Sequence, residues 1–289
     1  MGKIVVGVDG SEGSAGALRW AARESQLRGW PVTAVMAWGY LEQHHIDSRQ
    51  FDPEYDESKA NDALEAYVAA ALDETSAKQV NRQLTLDLAA RGLLDASADA
   101  DLLVMGARGL GGFRGLLLGS VSQTCLHHAH CPVAIVREPS HREPGSTERI
   151  VVGIDGSGGA QAALDWALDE ARARQASVDV VYGWQMIYTG AGYPYAIAVD
   201  PKPLEDAARR QLAAAVERAD TRGLEHPVEQ LLIMGGGTSA ILDTAEGADL
   251  IVVGTRGVGG FRGMLLGSVS HHVAQHAPCP VVAVPTPAS

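Results

Sequence analysis

Short apolar runs alternate along the chain with longer segments whose apolar residues recur at helical spacing. The run "KIVVGV" near the beginning is rich in β-branched residues and predicts a strand that is buried on both faces. Residues 11–28 follow, and they place Ala17, Leu18, Ala21 and Ala22 on one face of a predicted helix. Strand and helix patterns therefore follow one another from the start.

The same alternation continues through the first half of the chain. Strands are predicted at "PVTAVMAW", "RQLTLDL", "DLLVMG" and "PVAIVR", and helices over 57–78, in "RGLLDASADA" and in "VSQTCLHHA". Strands that are separated by helices form a parallel sheet covered on both faces, with right-handed crossovers. The pattern thus predicts an α/β fold, whose ligands bind at the carboxyl ends of the strands.

The pattern occurs twice. "IVVGVDGS" (4–11) returns as "IVVGIDGS" (150–157), and "GARGLGGFRGLLLGSVS" from Gly106 returns as "GTRGVGGFRGMLLGSVS" from Gly254. A repeat of this length indicates a duplicated domain rather than a solenoid. The join "EPSHREPGSTER" (138–149) has the composition of a linker. We place the domains at residues 1–144 and 145–289.

Composition narrows the possible partners. The chain carries a net charge of −12 and is 46% apolar, so we expect a globular protein with no nucleic-acid partner and no anionic membrane partner. Neither a signal peptide nor a membrane span is predicted. The three cysteines are sparse and odd in number, which favours a reducing compartment and a cytoplasmic location.

The glycine-rich loop after the fourth strand is the strongest candidate for chemistry. Its pattern is Gly-x2-Gly-x9-Gly-Ser in both copies. Glycines let the backbone approach a phosphate, and the final Gly-Ser lies where the N–H groups of a new helix favour an anion. Hydroxyl and guanidinium groups of the loop could add to such a site, namely Ser120, Ser122, Ser268, Ser270, Arg108, Arg114, Arg256 and Arg262.

Two familiar phosphate loops are excluded. The sequence lacks the Gly-Lys-Ser/Thr of a Walker A loop, and the loop follows the fourth strand rather than the first, unlike a Rossmann fingerprint. The alternative is a surface turn with a serine cap, and two nearly identical copies argue against it. His127, His128 and His130, with His271, His272 and His276, are interpreted as polar helix-end residues rather than metal ligands. Cys131 and Cys279 are interpreted as small buried residues, and Trp20 and Trp166 as packing residues.

With the aspartate after the first strand and the glycine loop both present twice, the chain resembles the universal stress protein family. It is most similar to the tandem form common in mycobacteria and related actinobacteria, and the resemblance covers nearly the whole chain. The resemblance implies two Rossmann-like, adenine nucleotide alpha hydrolase-like domains, each with a five-stranded parallel sheet of order 3-2-1-4-5. It also implies ATP, with Mg²⁺, in the crevice of each domain.

Position by position, the resemblance implies a ligand-binding set in each half. Asp9 and Asp155 would contact adenine or ribose, the second-strand ends would lie beside the adenine, and the glycine loops would line the phosphates and ribose. The first-half set is Gly7, Asp9, Ala37, Met105, Gly106, Gly109, Gly119, Ser120 and Val121. The second-half set is Gly153, Asp155, Gly183, Val253, Gly254, Gly257, Gly267, Ser268 and Val269.

The second half departs from the first after its third strand. It carries "MGGGTSAILDTA" where the first half has "LDLAARGLLDAS", so the two sites are expected to differ in shape.

Three functions remain open from the sequence. The first is a nucleotide-dependent regulator of stress or growth, with one ATP per domain and an unknown regulatory protein partner. The second is a slow ATPase or autophosphorylating enzyme, and the third is an interaction scaffold that does not depend on nucleotide. No catalytic residue is assigned. The resemblance implies that the halves form an intrachain pseudo-dimer through "CPVAIV" and "CPVVAV", and further pairing into a homodimer is compatible with it.

Overall fold

The computed structural model describes residues 2–39, 55–110, 117–137, 146–185, 200–257 and 266–286. The proposed domain boundary near Gly145 lies outside these ranges, so it stays a prediction. The first-half elements are β1 (Ile4–Gly7), α1 (Glu12–Arg28), β2 (Val32–Ala37), α2 (Glu57–Ala71), α3 (Glu74–Gln79), β3 (Val80–Thr85), α4 (Ala89–Ala96), β4 (Leu102–Gly106), α5 (Ser120–His128) and β5 (Val133–Val136).

The second half repeats this order of elements, with one long helix where the first half has α2 and α3. Its elements are β6 (Arg149–Ile154), α6 (Gly158–Arg174), β7 (Ser177–Trp184), α7 (Lys202–Arg218), β8 (Val228–Met234), α8 (Gly237–Thr244), β9 (Leu250–Gly254), α9 (Ser268–His276) and β10 (Val281–Val284).

The strands of both halves join into one ten-stranded sheet. Its order is β3-β2-β1-β4-β5-β10-β9-β6-β7-β8, so each half has the expected order 3-2-1-4-5. Strands within a half are parallel, whereas β5 and β10 pair antiparallel, with Ala134 opposite Val282. The predicted contact between "CPVAIV" and "CPVVAV" is therefore a continuous hydrogen-bonded ladder. Because the two fifth strands run in opposite directions, the carboxyl ends of the two half-sheets face opposite ways.

Two apolar layers cover the sheet, one on each face. Helices α1, α2, α6 and α7 bury one layer, which includes Leu18, Leu64, Leu164 and Leu212. Helices α4, α5, α8 and α9 bury the other layer. The central strands β1, β4, β5 and β10 are buried on both faces, which explains their uninterrupted apolar runs, whereas the edge strands β3 and β8 are partly exposed and carry polar residues.

One predicted helix is wrong in extent. Residues 57–78 were expected to form a single helix, but α2 ends at Ala71 and α3 begins at Glu74. Between them Asp73 caps α3, and its Oδ1 accepts hydrogen bonds from Thr75 N and Ser76 N, each at 3.0 Å. An aspartate that bonds these free N–H groups favours a new helix start over continuation of the old one.

A buried ion cluster lies where α1 packs against α6. It contains Glu24 and Arg28 of α1 and Glu170 and Arg174 of α6, which occupy equivalent positions in the two repeats. Arg174 also reaches Glu148, with Nη1 3.0 Å from Oε2. Trp20 and Trp166, which the sequence indicated as packing residues, cover the guanidinium groups of Arg174 and Arg28 at 5.5 and 5.4 Å from the ring centres. The halves therefore share charged as well as apolar contacts.

Candidate functional site

Asp9 connects the end of β1 to the loop that follows β4. Its Oδ1 accepts hydrogen bonds from Ser11 N at 3.0 Å and from Ser11 Oγ at 2.6 Å. Its Oδ2 accepts one from Leu110 N at 2.9 Å. Because β1 and β4 are neighbours in the sheet, the turn after β1 and the loop after β4 meet at one edge, as the resemblance implied. The Asp9 carboxylate is thus hydrogen-bonded both to the turn after β1 and to the loop after β4.

The middle glycine of each loop is required by this contact. A Cβ atom on Gly109 would collide with Asp9 Oδ2, and one on Gly257 would collide with Asp155 Oδ2. In the second half, Asp155 Oδ1 accepts a hydrogen bond from Ser157 N at 3.0 Å, and β6 is paired with β9. The structure therefore brings the predicted aspartate and glycine together in both halves.

The first glycine of each loop allows close contact with a helix start. A Cβ atom on Gly106 would lie 2.7 Å from backbone atoms of Gly13, and one on Gly254 would lie 2.7 Å from those of Gly159. Sequence reasoning missed Gly13 and Gly159. Their signal was a glycine within the first turn of a helix at equivalent positions in both repeats, where glycine is otherwise unfavourable.

The third glycine of each loop begins a helix whose N-terminus is open. Gly119 N donates to Ala107 O at 2.8 Å, and Gly267 N donates to Thr255 O at 2.7 Å, which closes each loop. Gly119 and Gly267 then occupy the cap positions of α5 and α9, where a glycine supplies no capping side chain. The N–H groups of the first turn, from Ser120 and Val121 or from Ser268 and Val269, can therefore donate hydrogen bonds to an anion.

The loop serines divide into two kinds. Ser120 and Ser268 are exposed at the helix starts, as expected of ligand donors. Ser122 and Ser270 are buried, and their hydroxyl groups donate to Gly106 O at 2.8 Å and to Gly254 O at 2.5 Å. The second pair thus fastens the helix to the strand end rather than facing a ligand, which corrects the expectation that all four hydroxyls could bind phosphate.

Gly7 and Gly153 make room for side chains of the neighbouring helices. A Cβ atom on Gly7 would lie 2.9 Å from Leu93 Cδ1 of α4, and one on Gly153 would collide with Ile241 Cδ1 of α8. Their requirement for glycine follows from packing beneath the crevice.

The other predicted residues lie around the same edge at different depths. Met105 and Val253 are buried at the ends of β4 and β9, whereas Val121 and Val269 are half-buried in the first helical turn. Ala37 ends β2, and Gly183 lies beside the start of α8, where a Cβ atom would be 2.9 Å from Gly237 Cα. Arg108 and Arg256 are exposed, and Arg114 and Arg262 lie outside the described residues.

The helix start beside each crevice differs between the halves. Helix α8 begins after Gly236, whereas the equivalent α4 begins after Leu88, whose side chain is 56% exposed. The sequence difference "MGGG" therefore falls at the crevice edge, as expected.

His127 and His128 lie on α5 and His271, His272 and His276 lie on α9, on the opposite side of the sheet from α1 and α6, whereas His130 follows the end of α5. The ring centres of His127 and His271 are 6.3 Å apart across the junction of the halves. Burial, with smaller contributions from His271 and His128, lowers the pKa of His127. Within the described ranges, no group of three or more Asp, Glu, His or Cys side chains is arranged to hold a metal ion.

The three cysteines are buried and unpaired. Burial raises the pKa of Cys125 and of Cys279 to about 12, and that of Cys131 to about 11. Thiols of this kind are packing residues, and for Cys131 and Cys279 burial confirms the interpretation from the sequence.

The chain matches a known protein family and curated relatives over most of its length. The model of the universal stress protein family matches residues 1–137 and 146–285. The chain belongs to this family. A universal stress protein of Mycolicibacterium smegmatis is 35% identical over 97% of this chain and 96% of its own length. The universal stress protein Rv2623 of Mycobacterium tuberculosis is 32% identical over 96% of this chain and 95% of its own length.

Solved structures of the family share the fold. A universal stress protein from Archaeoglobus fulgidus is 22% identical to this chain, with a TM-score of 0.64 and coverage of 98% of this chain and 96% of its own. That likeness concerns the fold alone. In the part of the chain that the structure describes, no helix is long and apolar enough to cross a membrane.

Proposed function

We propose that each half of this universal stress protein binds one ATP at the crevice between the Asp9 or Asp155 turn and the adjacent glycine loop. The observation that carries the proposal is the duplicated loop, in which the final glycine begins a helix with an open N-terminus. Backbone N–H groups and the helix dipole suit phosphate without a strongly positive surface, which fits a chain of net charge −12.

Mg²⁺ would accompany the ATP and neutralise part of its phosphate charge. The residues present fit such a ligand, because helices α5 and α9 begin after glycines that supply no capping side chain, and Ser120 and Ser268 are exposed at these helix starts. In each half, Asp9 or Asp155 would orient the nucleoside, while Ser120 or Ser268 would donate to phosphate. The exposed Arg108 and Arg256 would add positive charge at the loop.

A binding regulator fits the site better than an enzyme does. The carboxylate oxygens of Asp9 accept three hydrogen bonds from Ser11 and Leu110, an arrangement that fixes the turn and the loop. We therefore propose a cytoplasmic regulator whose nucleotide occupancy controls its contact with a protein partner in stress or growth. Turnover that persists through purification and disappears in an Asp9→Ala, Asp155→Ala double variant would instead establish an ATPase.

Analysis of bound nucleotide tests the proposal directly. The protein is purified without added nucleotide and denatured, and the released compounds are identified by chromatography and mass spectrometry. We expect ATP at about two per chain, with the loss of one ATP in Gly109→Val and of one in Gly257→Val. These variants place a side chain against Asp9 and Asp155, respectively.

Gly158→Ala is a matched control, because a Cβ atom at Gly158 meets nothing within 4 Å. It should retain both nucleotides. Absence of released nucleotide, together with failure to bind added ATP, would reject the proposal and favour the interaction scaffold.

A further inference from the structure

A chain of hydrogen bonds connects the Asp9 turn to a side chain of α2. Asp9 N donates to Ser14 Oγ at 3.3 Å, and Ser14 Oγ lies 2.5 Å from the hydroxyl of Tyr67. The Tyr67 hydroxyl donates to Ser11 O at 2.6 Å. Ser14 Oγ also lies 3.0 Å from Ser11 O, so Ser14 and Tyr67 converge on that carbonyl, and the chain of contacts runs from Asp9 through Ser14 and Tyr67 back to Ser11.

This chain encloses the part of the turn that needs an unusual conformation. Gly10, between Asp9 and Ser11, has a φ of +87°. Tyr67 and Ser14 bond the backbone on both sides of Gly10, whereas the Asp9 carboxylate bonds Ser11 and Leu110. The direction of the Asp9 side chain is thus fixed both by its own bonds and by a hydroxyl group from another helix.

The second half has the same turn but cannot form this chain. Ala160 occupies the position of Ser14, because it follows Asp155 by as many residues as Ser14 follows Asp9. In α7 the buried Ala208 and Leu212 match Ala60 and Leu64 of α2, which puts the buried Ala215 where α2 has Tyr67. Neither alanine carries a hydroxyl group.

A different side chain lies beside the second turn. Tyr182 of β7 donates its hydroxyl to Gln211 Oε1 at 2.7 Å, and that oxygen lies 3.0 Å from the Cβ position of Gly156. The Tyr182 hydroxyl therefore bonds a side chain and not the backbone of the turn. The two crevices share their loop pattern but differ in what supports the aspartate.

We propose that Tyr67 is a positioning residue that holds the Asp9 turn in its ligand-binding geometry, so that nucleotide affinity in the first crevice alone depends on α2. This inference rests on the proposed function, since the affinity in question is that for ATP. Fixing a binding group before the ligand arrives lowers the ordering cost of binding. Burial raises the pKa of Tyr67 to about 12, so its hydroxyl remains a donor throughout the neutral range.

The test measures ATP affinity, with Mg²⁺ present, separately in each crevice of the full-length chain. Gly257→Val leaves the first crevice for titration calorimetry, and Gly109→Val leaves the second. Tyr67→Phe should weaken binding in the first crevice by about fivefold, the effect of one ordinary hydrogen bond, and change the second by less than about twofold. Tyr182→Phe is the matched control and should leave the first crevice unchanged.

A double-mutant cycle separates positioning from a general structural effect. If Tyr67 acts through Asp9, Tyr67→Phe should change the first-crevice affinity by less than about twofold once Asp9→Asn is present. Ser14→Ala interrupts the same chain and should reproduce the loss seen in Tyr67→Phe. This second variant also provides a test if Tyr67→Phe folds poorly, and the second crevice reports on folding within the same molecule.

The outcomes separate the two proposals. ATP binding in both backgrounds with no effect of Tyr67→Phe and Ser14→Ala, or with equal losses in both crevices, overturns the positioning role and leaves the proposed function intact. Additive losses in the Asp9 cycle also overturn it. Absence of ATP binding in the unmodified chain rejects the proposed function instead.

Discussion

Glu24 of the first half and Glu170 of the second occupy equivalent positions in the two repeats, and their fully buried carboxyl groups share the guanidinium of Arg174. Arg174 donates to both carboxyl groups, and Arg28 pairs with both. Burial raises the pKa of Glu24 to about 8, although the charge of Arg174 acts against it. Burial also opposes ionisation of Glu170, but Arg174 and Arg28 outweigh it and lower the pKa of Glu170. The pair therefore holds one proton at neutral pH.

This proton predicts a pH-dependent junction between the halves. Because the pKa of Glu24 is higher in the folded state, the stability contributed by its protonated form is complete below the unfolded value of 4.5. It is lost as the pH rises through about 8. Urea unfolding at pH 6 to 9 should show a free energy of unfolding that falls with pH, and Glu24→Gln should flatten this dependence.

Glu205→Gln is the control for that series. Glu205 pairs with Arg209 at the surface, and its side chain is 37% exposed. This variant should keep the pH dependence of the unmodified chain. A Glu24→Gln variant with the same slope as the unmodified chain would show that Glu24 ionises normally in the folded protein.

Removal of the central guanidinium should be costly. Arg174 is 2% exposed and pairs with Glu24, Glu148 and Glu170. Arg174→Met would remove a buried cation that contacts all three carboxyl groups, and we expect the free energy of unfolding to fall by about 3–5 kcal/mol. Arg209→Met, at an exposed pair, should change it by less than about 0.5 kcal/mol. Equal effects in denaturant titrations would contradict the central role of Arg174.

Gly153 should be sensitive to a single methyl group. Its Cβ position collides with Ile241 Cδ1, so Gly153→Ala should lower the free energy of unfolding by about 1–3 kcal/mol through overpacking. Ile241→Val removes that methyl group and should recover part of the loss when combined with Gly153→Ala. Gly158→Ala, at the start of α6 in the same half, should leave the free energy of unfolding unchanged or raise it, because no atom lies within 4 Å of its Cβ position. Thermal and urea unfolding of the variants distinguishes these cases.

Ser122 should matter for stability rather than for ligand binding. Ser122→Ala leaves the Gly106 carbonyl without its buried donor, and we expect a loss of about 1 kcal/mol in the free energy of unfolding. Ser120→Ala, at the exposed helix start, should change that free energy by less than about 0.5 kcal/mol. A Ser122→Ala variant with unchanged stability but weakened ATP binding would show that Ser122 contacts the ligand.

Much of the fold follows from local patterns in the sequence. The β-branched runs predicted the strands because a strand covered on both faces has no polar side, and the repeated motifs defined two similar halves. The prediction of a single helix over 57–78 was wrong, because the Asp73 side chain caps the backbone N–H groups at the start of α3 and so favours a second helix. Apolar periodicity does not detect such a cap. The strand order came from resemblance to the family rather than from the residues themselves.

The residues of the site could be predicted where their role depends on the motif in which they occur. Asp9 and Gly109 could be placed together because each follows one of two neighbouring strands at its carboxyl end. The roles of Gly13, Ser14 and Tyr67 were not predicted, because Gly13 packs against Gly106 and Ser14 contacts Tyr67, and the two members of each pair are distant along the chain.

The sequence by itself determined the two repeats, their strands and the Asp-Gly-Ser turns, since hydrophobic periodicity and glycine conformation act over a few residues. Only the tertiary structure decided that Glu24 lies beside Glu170 and that Tyr67 bonds Ser11. It also decided that Leu93 packs against Gly7 and that Ile241 packs against Gly153. The physical reason is that side-chain partners across a sheet or between helices are selected by packing geometry, which depends on all the elements at once.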